Sequence, residues 1–393
     1  MTLHTDRPIH VMQIVGDPIG GIRKHVHSVI EGLDTVRFVQ SYAYSTTAQD
    51  EHFRREIGPL KVHLMGVVPL SIRKKPHPSD LLNLLKLIRY CKKNRVDVVH
   101  GHGAKGGLYA RLVGYLCKIK SVYTPHGGMV HNMFPRWEDK LYTAVEKWLS
   151  SMTDLYIFES KYTSDAFQNK VVRLPAGRWI VNYNGIAEID INDVALRARG
   201  LGYDLTDRKV LKVGVFAMLR SQKGQKYAIR AVSNLLVNGN DRICLHLFGD
   251  GPDKASLQNE VIRLGLEGHV KFHGDVCDAE AHMFAMDVIL IPSLFESFGY
   301  VAIEAMAVGK RVIASRVGGL VEVIDDQVGR LIEPKAETAI AHALIECIEN
   351  PDMLKAGVEC GRNRCRSKFS INKMISRLEE AYGEQANMLS PKN

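Results

Sequence analysis

The chain reads as α/β, two doubly wound, Rossmann-like domains built on parallel sheets. Three observations predict this. At 393 residues the chain exceeds one ordinary hydrophobic core, so two domains are expected. Short strand-like runs alternate with amphipathic helical stretches throughout. Many of those runs are continuously apolar, as strands covered by helices on both faces must be. The alternation lapses in "AEIDINDVALRARGLGYDLTDRK" (187–209) and restarts near Val210. Domains are therefore expected over 1–190 and 210–373, with a linker at 191–209 and a helix at 374–393 that packs back on the first domain. Ligands of such sheets bind beyond the carboxyl ends of the strands, and two such edges facing each other across a deep cleft suit a large substrate.

In the first half the strand-like runs are "IHVMQIVG", "RFVQSYAY", "KVHLMGVV", "VDVVHGHG", "SVYTPHGG", "LYIFES" and "WIVNYNGI". The first is followed by "GDPIGGIRKHV" (16–26), a Gly-rich loop opening a helix. It is not G-x-G-x-x-G and argues poorly for a dinucleotide, but it allows close approach to a phosphate or sugar. A basic stretch, "SIRKKPHPSDLLNLLKLIRYCKKNR" (71–95), carries a helix whose leucines form a broad stripe against the first sheet. His100, His102 and His126 stand at the carboxyl ends of two strands. No carboxylate or cysteine stands at ligand spacing from them, so no metal is expected. In the second half the runs are "LKVGVFAML", "ICLHLFGDG", "VKFHGDV", "VILIPS", "RVIASRVGG" and "GRLIEP".

Composition narrows the function. Hydrophobic residues at 46% and charged residues at 24% are those of a soluble globular protein, and no apolar run nears the roughly 20 residues that span a bilayer. The N-terminus reads as a first strand rather than a signal peptide. Seven scattered cysteines form no C-x-x-C pair, and no N-x-S/T site occurs, which suits reduced thiols in the cytosol. The net charge of +9 points to polyanionic or phosphorylated partners. With no arginine-rich tail, RNP motif or zinc finger, nucleic acid is not among them.

The chemistry concentrates in "FESFGYVAIEA" (295–305). A buried strand ends, a loop follows, and a helix is expected to start near Phe298 and Gly299. Its free backbone N–H groups and dipole favour an anion. Glu304 lies about five residues in, roughly 8 Å below the tip. That is about the reach from a diphosphate to a ribose, whose two vicinal hydroxyls a carboxylate can accept. Glu296, on the loop, faces the other side of the phosphates. Spacing alone fits as well a Glu304 that caps a neighbouring loop and a solvated Glu296. "AMLRSQKG" (217–224) sets Arg220 and Lys223 at another strand-to-helix turn, where cations suit a diphosphate but could equally be solvated surface charges.

Together these pieces resemble the GT-B glycosyltransferases of the large group called family four, or group one. The glutamate, seven residues, glutamate motif appears in "ESFGYVAIE". Its companions "GGIRKHV", "HGHGAKGG", "YTPHGG", "NYNGI", "AMLRSQKG" and "FGDGP" follow the family's order. The resemblance implies a nucleotide-diphosphate sugar bound in the C-terminal domain and transferred with retained configuration to a glycan or lipid-linked acceptor. Glu304 would bind the ribose and Glu296 the donor sugar's hydroxyls. Ser297, Phe298 and Gly299 would offer backbone amides near the sugar and diphosphate. Lys223 would hold the diphosphate, the loop at Gly20 and Gly21 would close on it, and His126 would stand beside the reacting sugar. The chain departs from the family at Met218, where an arginine is usual, and Arg220 follows two residues later. There is no D-x-D motif, so fixed positive charge is expected in place of a metal ion. The nucleotide sugar is the only small-molecule partner expected, with no cofactor. The resemblance also suggests bacterial surface polysaccharide synthesis, and the basic stretch at 71–95 suggests a place on the cytoplasmic face of the inner membrane, held there by an anionic surface. Two other readings share the architecture: a sugar-nucleotide epimerase or phosphorylase, and a binding protein without catalysis.

Overall fold

A computed structural model describes residues 7–73, 75–128, 135–206 and 209–388. Lys74 of the basic stretch lies outside them. The chain divides into two compact units, Met1–Gly185 with Ile371–Asn393, and Ile186–Ser370.

The first unit holds seven strands: β1 (Ile9–Val15), β2 (Phe38–Ser45), β3 (Gly66–Leu70), β4 (Val98–His102), β5 (Lys120–Thr124), β6 (Leu155–Phe158) and β7 (Trp179–Val181). They form one parallel sheet in the order β3-β2-β1-β4-β5-β6-β7. The order reverses between β1 and β4, which is where doubly wound sheets open a ligand crevice. Val11, Met12, Ile14 and Val15 of β1 are fully buried, as continuous apolar strands under two helical layers should be. Helix Ile371–Asn387 turns Met374, Ile375, Leu378, Ala381 and Tyr382 into the core formed by Val11, Val98 and Val122. That is a helical stripe on one face.

The second unit holds β8 (Leu211–Phe216), β9 (Ile243–Phe248), β10 (Val270–Gly274), β11 (Val288–Ile291), β12 (Arg311–Ser315) and β13 (Gly329–Ile332). They form a parallel sheet in the order β10-β9-β8-β11-β12-β13. Here the reversal falls between β8 and β11, directly below the two loops that carry the candidate chemistry. The stretch expected as a linker, 191–209, instead contains helix Ile191–Gly200. This helix belongs to the second unit and is capped by Asp190, whose carboxylate accepts from the Asn192 amide.

One expectation for the basic stretch is corrected. Helix Ser79–Asn94 buries Asn83, Leu87 and Cys91, spaced four residues apart, while Leu81 and Leu82 are 63% and 68% exposed. Asn83 takes the central inward position because its amide donates to the Ser71 carbonyl and the Tyr109 hydroxyl. The leucine stripe is thereby split, and part of it faces outward.

Candidate active site

In the second unit two loops meet above the β8/β11 reversal. After β11 the chain runs Pro292 to Phe298 and enters helix Tyr300–Ala307 through Gly299. Gly299 has φ +105°, and a Cβ there would lie 2.6 Å from Leu320. Only glycine takes that backbone without strain or collision. The sequence-based start of the helix thus holds to within a residue. Glu304 sits half-buried in this helix, one turn in. Phe298 contributes its backbone to the loop, while its ring is buried against Tyr300 and Phe369, with centroids at 5.9 and 5.6 Å.

After β8 the chain turns through Arg220 and a short 3₁₀ segment, Ser221–Lys223, into Gly224 at φ +69°. A Cβ on Gly224 would stand 2.0 Å from the Pro292 carbonyl oxygen, so glycine lets the two loops touch. The Leu294 amide donates to the Gln222 carbonyl at 2.7 Å. The loops are also tied by charge. Lys223 Nζ donates to Glu296 Oε2 at 2.7 Å, and Ser293 Oγ donates to the same oxygen at 3.2 Å. The Glu296 carbonyl accepts the Gly319 amide at 2.9 Å from the loop after β12. Arg220 is half-exposed and makes no side-chain ion pair among the described residues. Thus Glu296, Ser297, Gly299, Lys223 and Arg220 come from separated segments into one loop cluster, with Glu304 beneath it. The charges needed for an anion and a polyol are present. A cavity of about 570 Å³ in this unit is lined by Leu211, Asp287, Lys310 and Leu354 at the amino ends of the strands, the opposite edge.

In the first unit, Gly20 and Gly21 open helix Gly20–Gly32 as exposed residues just after β1. The Gly20 amide donates to Asp50 Oδ2 at 3.3 Å. His126 follows β5 with φ +50°, an uncommon conformation for a residue with a Cβ, and its side chain is only 7% exposed. Its Nε2 lies 3.1 Å from His102 Nδ1, and its Nδ1 lies 3.6 Å from Glu159 Oε2. His102 Nε2 donates to Gln13 Oε1 at 2.9 Å, and His25 Nδ1 donates to Asn184 Oδ1 at 2.8 Å. Burial holds His102 and His126 well below the ordinary histidine range and takes His25 down to about 4, so these imidazoles are neutral at pH 7. His100 belongs elsewhere. Its Nδ1 meets the Tyr382 hydroxyl at 2.6 Å and its Nε2 meets Thr124 Oγ1 at 2.9 Å, which makes it a satisfied core histidine. Sequence reasoning grouped His100 with His102 and His126. The structure puts His25 in that place, together with Gln13, Glu159 and Asn184, none of which carries a local signal.

Two Rossmann-like units with candidate loops gathered at their sheet reversals define an α/β protein of the doubly wound class. Comparison with known proteins then fixes the family. The family model for glycosyl transferases group 1 matches residues 200–364, and that for Glycosyltransferase Family 4 matches residues 19–188. The chain belongs to this glycosyltransferase family and has its GT-B fold. It is 29% identical over 346 residues to an uncharacterised glycosyltransferase of Methanocaldococcus jannaschii, covering 82% of this chain and 84% of that one. Among solved structures it is similar to Anabaena HepE in complex with UDP-glucose, with a TM-score of 0.78 at 22% identity, covering 95% and 99% of the two chains. It is also similar to WaaG, a glycosyltransferase involved in lipopolysaccharide biosynthesis, with a TM-score of 0.73 at 15% identity, covering 95% and 99%.

Proposed function

We propose that this glycosyltransferase moves a hexose from a nucleotide-diphosphate sugar to a glycan or lipid-linked acceptor, with retention and without a metal ion. The observation that carries the reading is the tie between the two second-unit loops, Lys223 to Glu296 at 2.7 Å, beside the Gly299 entry to a helix that holds Glu304. An arriving diphosphate competes for Lys223. The lysine then neutralises phosphate, and the Glu296 carboxylate is released to accept hydroxyls of the donor sugar. Glu304 accepts the ribose hydroxyls. Arg220 and the amides of Ser297, Phe298 and Gly299 share the phosphate charge. His126 serves the reacting sugar, and the Gly20–Gly21 loop closes on the diphosphate.

In the reaction the anomeric C–O bond to the diphosphate breaks as the acceptor oxygen bonds to the same carbon on the same face. The acceptor proton passes to the leaving phosphate oxygen. Negative charge grows on the leaving group, and fixed cations with the helix N-terminus stabilise it. The UDP-glucose complex of HepE supports a uracil nucleotide and glucose as the first donor to try. The lipopolysaccharide role of WaaG supports a cell-surface glycan acceptor.

The test is a thermal-shift screen of UDP-, GDP- and ADP-sugars, followed by transfer assays. A donor at 100 times its Kd adds about 2.7 kcal/mol of stability. Turnover persists in excess EDTA, and the product keeps the donor's anomeric configuration. No stabilisation by any nucleotide sugar rejects the donor reading. Loss of turnover that Mg²⁺ restores rejects the fixed-charge mechanism.

A further inference from the structure

We propose that His25, His102 and His126 form a site for one transition-metal ion of the Zn²⁺ class in the first unit. One ring nitrogen of each lies within 4.8 Å of the other two. His102 Nδ1 and His126 Nε2, at 3.1 Å, already stand close to the spacing of about 3.3 Å between nitrogens bound at about 2.0–2.1 Å to a tetrahedral ion. The rings come from the helix after β1, the end of β4 and the turn after β5, so they converge at the β1/β4 reversal of the sheet.

The far side of each ring carries the strongest sign. His25 Nδ1 donates to Asn184 Oδ1 at 2.8 Å, His102 Nε2 donates to Gln13 Oε1 at 2.9 Å, and His126 Nδ1 lies 3.6 Å from Glu159 Oε2. The oxygen acceptors behind His25 and His102 turn the inner nitrogen's lone pair of each toward the common centre, and Glu159 stands where it would accept from His126 Nδ1 once that ring changes tautomer. Metal-binding histidines are supported in this way. Gln13 Nε2 donates in turn to the Tyr382 hydroxyl at 3.3 Å, which fixes the amide's oxygen toward His102. His25 Nε2, the nitrogen left to face the centre, is buried and has no hydrogen-bond partner among the described residues. Native structures rarely leave a buried polar atom so, and a metal would satisfy it.

Three imidazoles select the ion. Mg²⁺ and Ca²⁺ take oxygen ligands, whereas imidazole suits Zn²⁺ and its neighbours. Loading needs one tautomer change and no net proton release. In the metal-free form His126 Nε2–H points at His102 Nδ1. On binding, that proton is exchanged for one on Nδ1, facing Glu159. Three lone pairs then hold the ion, and water fills the open fourth position. A bound ion occupies the His126 nitrogen, so Zn²⁺ inhibits turnover. This consequence rests on the transferase reading, whereas the binding itself does not.

Titration of the metal-stripped full chain with Co²⁺ tests the site by visible absorption. One equivalent is expected to produce the intense band of four-coordinate cobalt. Zn²⁺ abolishes the band, and a large excess of Mg²⁺ leaves it. His25→Gln and His102→Gln each remove it, while His63→Gln and His342→Gln, at exposed positions, keep it. Because a buried substitution can unfold the unit, zinc-edge X-ray absorption of the unmodified protein gives a second readout, three imidazoles per ion. No band, a band that survives His25→Gln in folded protein, or fewer than three imidazoles overturns the proposal. Donor binding by thermal shift in stripped protein is unaffected, so the metal site and the transferase reading fail separately.

Discussion

Glu304 and Glu296 are two carboxylates eight positions apart with different surroundings, and the difference sets what each substitution should do. Glu304 stands on a helix one turn below its Gly299 entry, whereas Glu296 sits on the loop, already paired with Lys223 and Ser293. Glu304→Gln keeps one acceptor and loses the charge. It should weaken nucleotide-sugar binding by about 1–3 kcal/mol, measured by calorimetry, and unchanged affinity would remove Glu304 from the ribose. His126→Ala should act on turnover instead. We expect kcat to fall about tenfold or more, about 1.4 kcal/mol of barrier, with donor affinity little changed. If kcat holds while the protein stays folded, His126 is a structural residue. Histidines also set the acid limit of stability. Burial is the main reason that His25 and His246, one in each unit, drop to about 4. The unfolded chain protonates them near 6.5, so below that pH it binds more protons than the folded chain does. Their contribution is complete above about pH 6.5 and is lost as the pH falls toward 4, by about 1.4 kcal/mol per pH unit for each group. Urea midpoints should therefore decline from about pH 6.5 downward. A flat profile to about pH 5 would contradict the buried, neutral assignment.

At the scale of elements, long-range pairing decides what the sequence could reveal. The strand, loop and helix around Glu296 and Glu304 were legible because apolar run, glycine and helix lie within a short stretch, where each signal is local. Contacts between distant positions were not legible. Lys223 meets Glu296 across 73 residues, His25 meets Asn184 across 159, and Tyr382 meets His100 across 282. Helix Ile191–Gly200 was read as linker because its inward face is thin. It buries only Val194 and Ala198 and leaves Leu196 67% exposed. The clearest hidden element contact joins helices Gly103–Cys117 and Arg136–Leu149. Arg111 is fully buried, forms two bonds to Glu146 at 2.6 and 2.9 Å, and its guanidinium lies 4.0 Å from the centre of the Tyr123 ring. Glu146→Ala should cost about 3–5 kcal/mol, because it strands a buried charge, whereas Arg111→Met with Glu146→Leu should cost much less. Denaturant unfolding of the two variants decides this, and equal losses would show that packing, not the lone charge, sets the cost.

At the scale of the whole molecule, the surplus positive charge of +9 would suit two anionic partners, a diphosphate and an anionic surface. No described helix is long and apolar enough to cross a membrane. Helix Ser79–Asn94 offers the means. Leu81, Leu82 and Leu85 are exposed beside the exposed cations Lys86, Arg89, Lys92 and Lys93. The first-turn acid, Asp80, does not cancel them. Its carboxylate is occupied by Lys105 at 2.7 Å and by the Tyr109 hydroxyl at 2.5 Å. The inward stripe of Asn83, Leu87 and Cys91 holds the helix on its unit, so the outward leucines are not needed for folding. Each cation near an anionic leaflet contributes about 1 kcal/mol, and each leucine that leaves water adds to it. Together these four cations and three leucines would suffice for reversible attachment, which would place the enzyme beside a lipid-linked acceptor. The protein is therefore expected to float with anionic vesicles at low salt and to be released at high salt, because the attraction is screened. Lys86→Glu with Lys93→Glu should abolish flotation, and Leu82→Ser should weaken it, with donor binding unchanged in both. Failure to float at low salt, or equal flotation with neutral lipid, would leave the positive charge to the diphosphate alone.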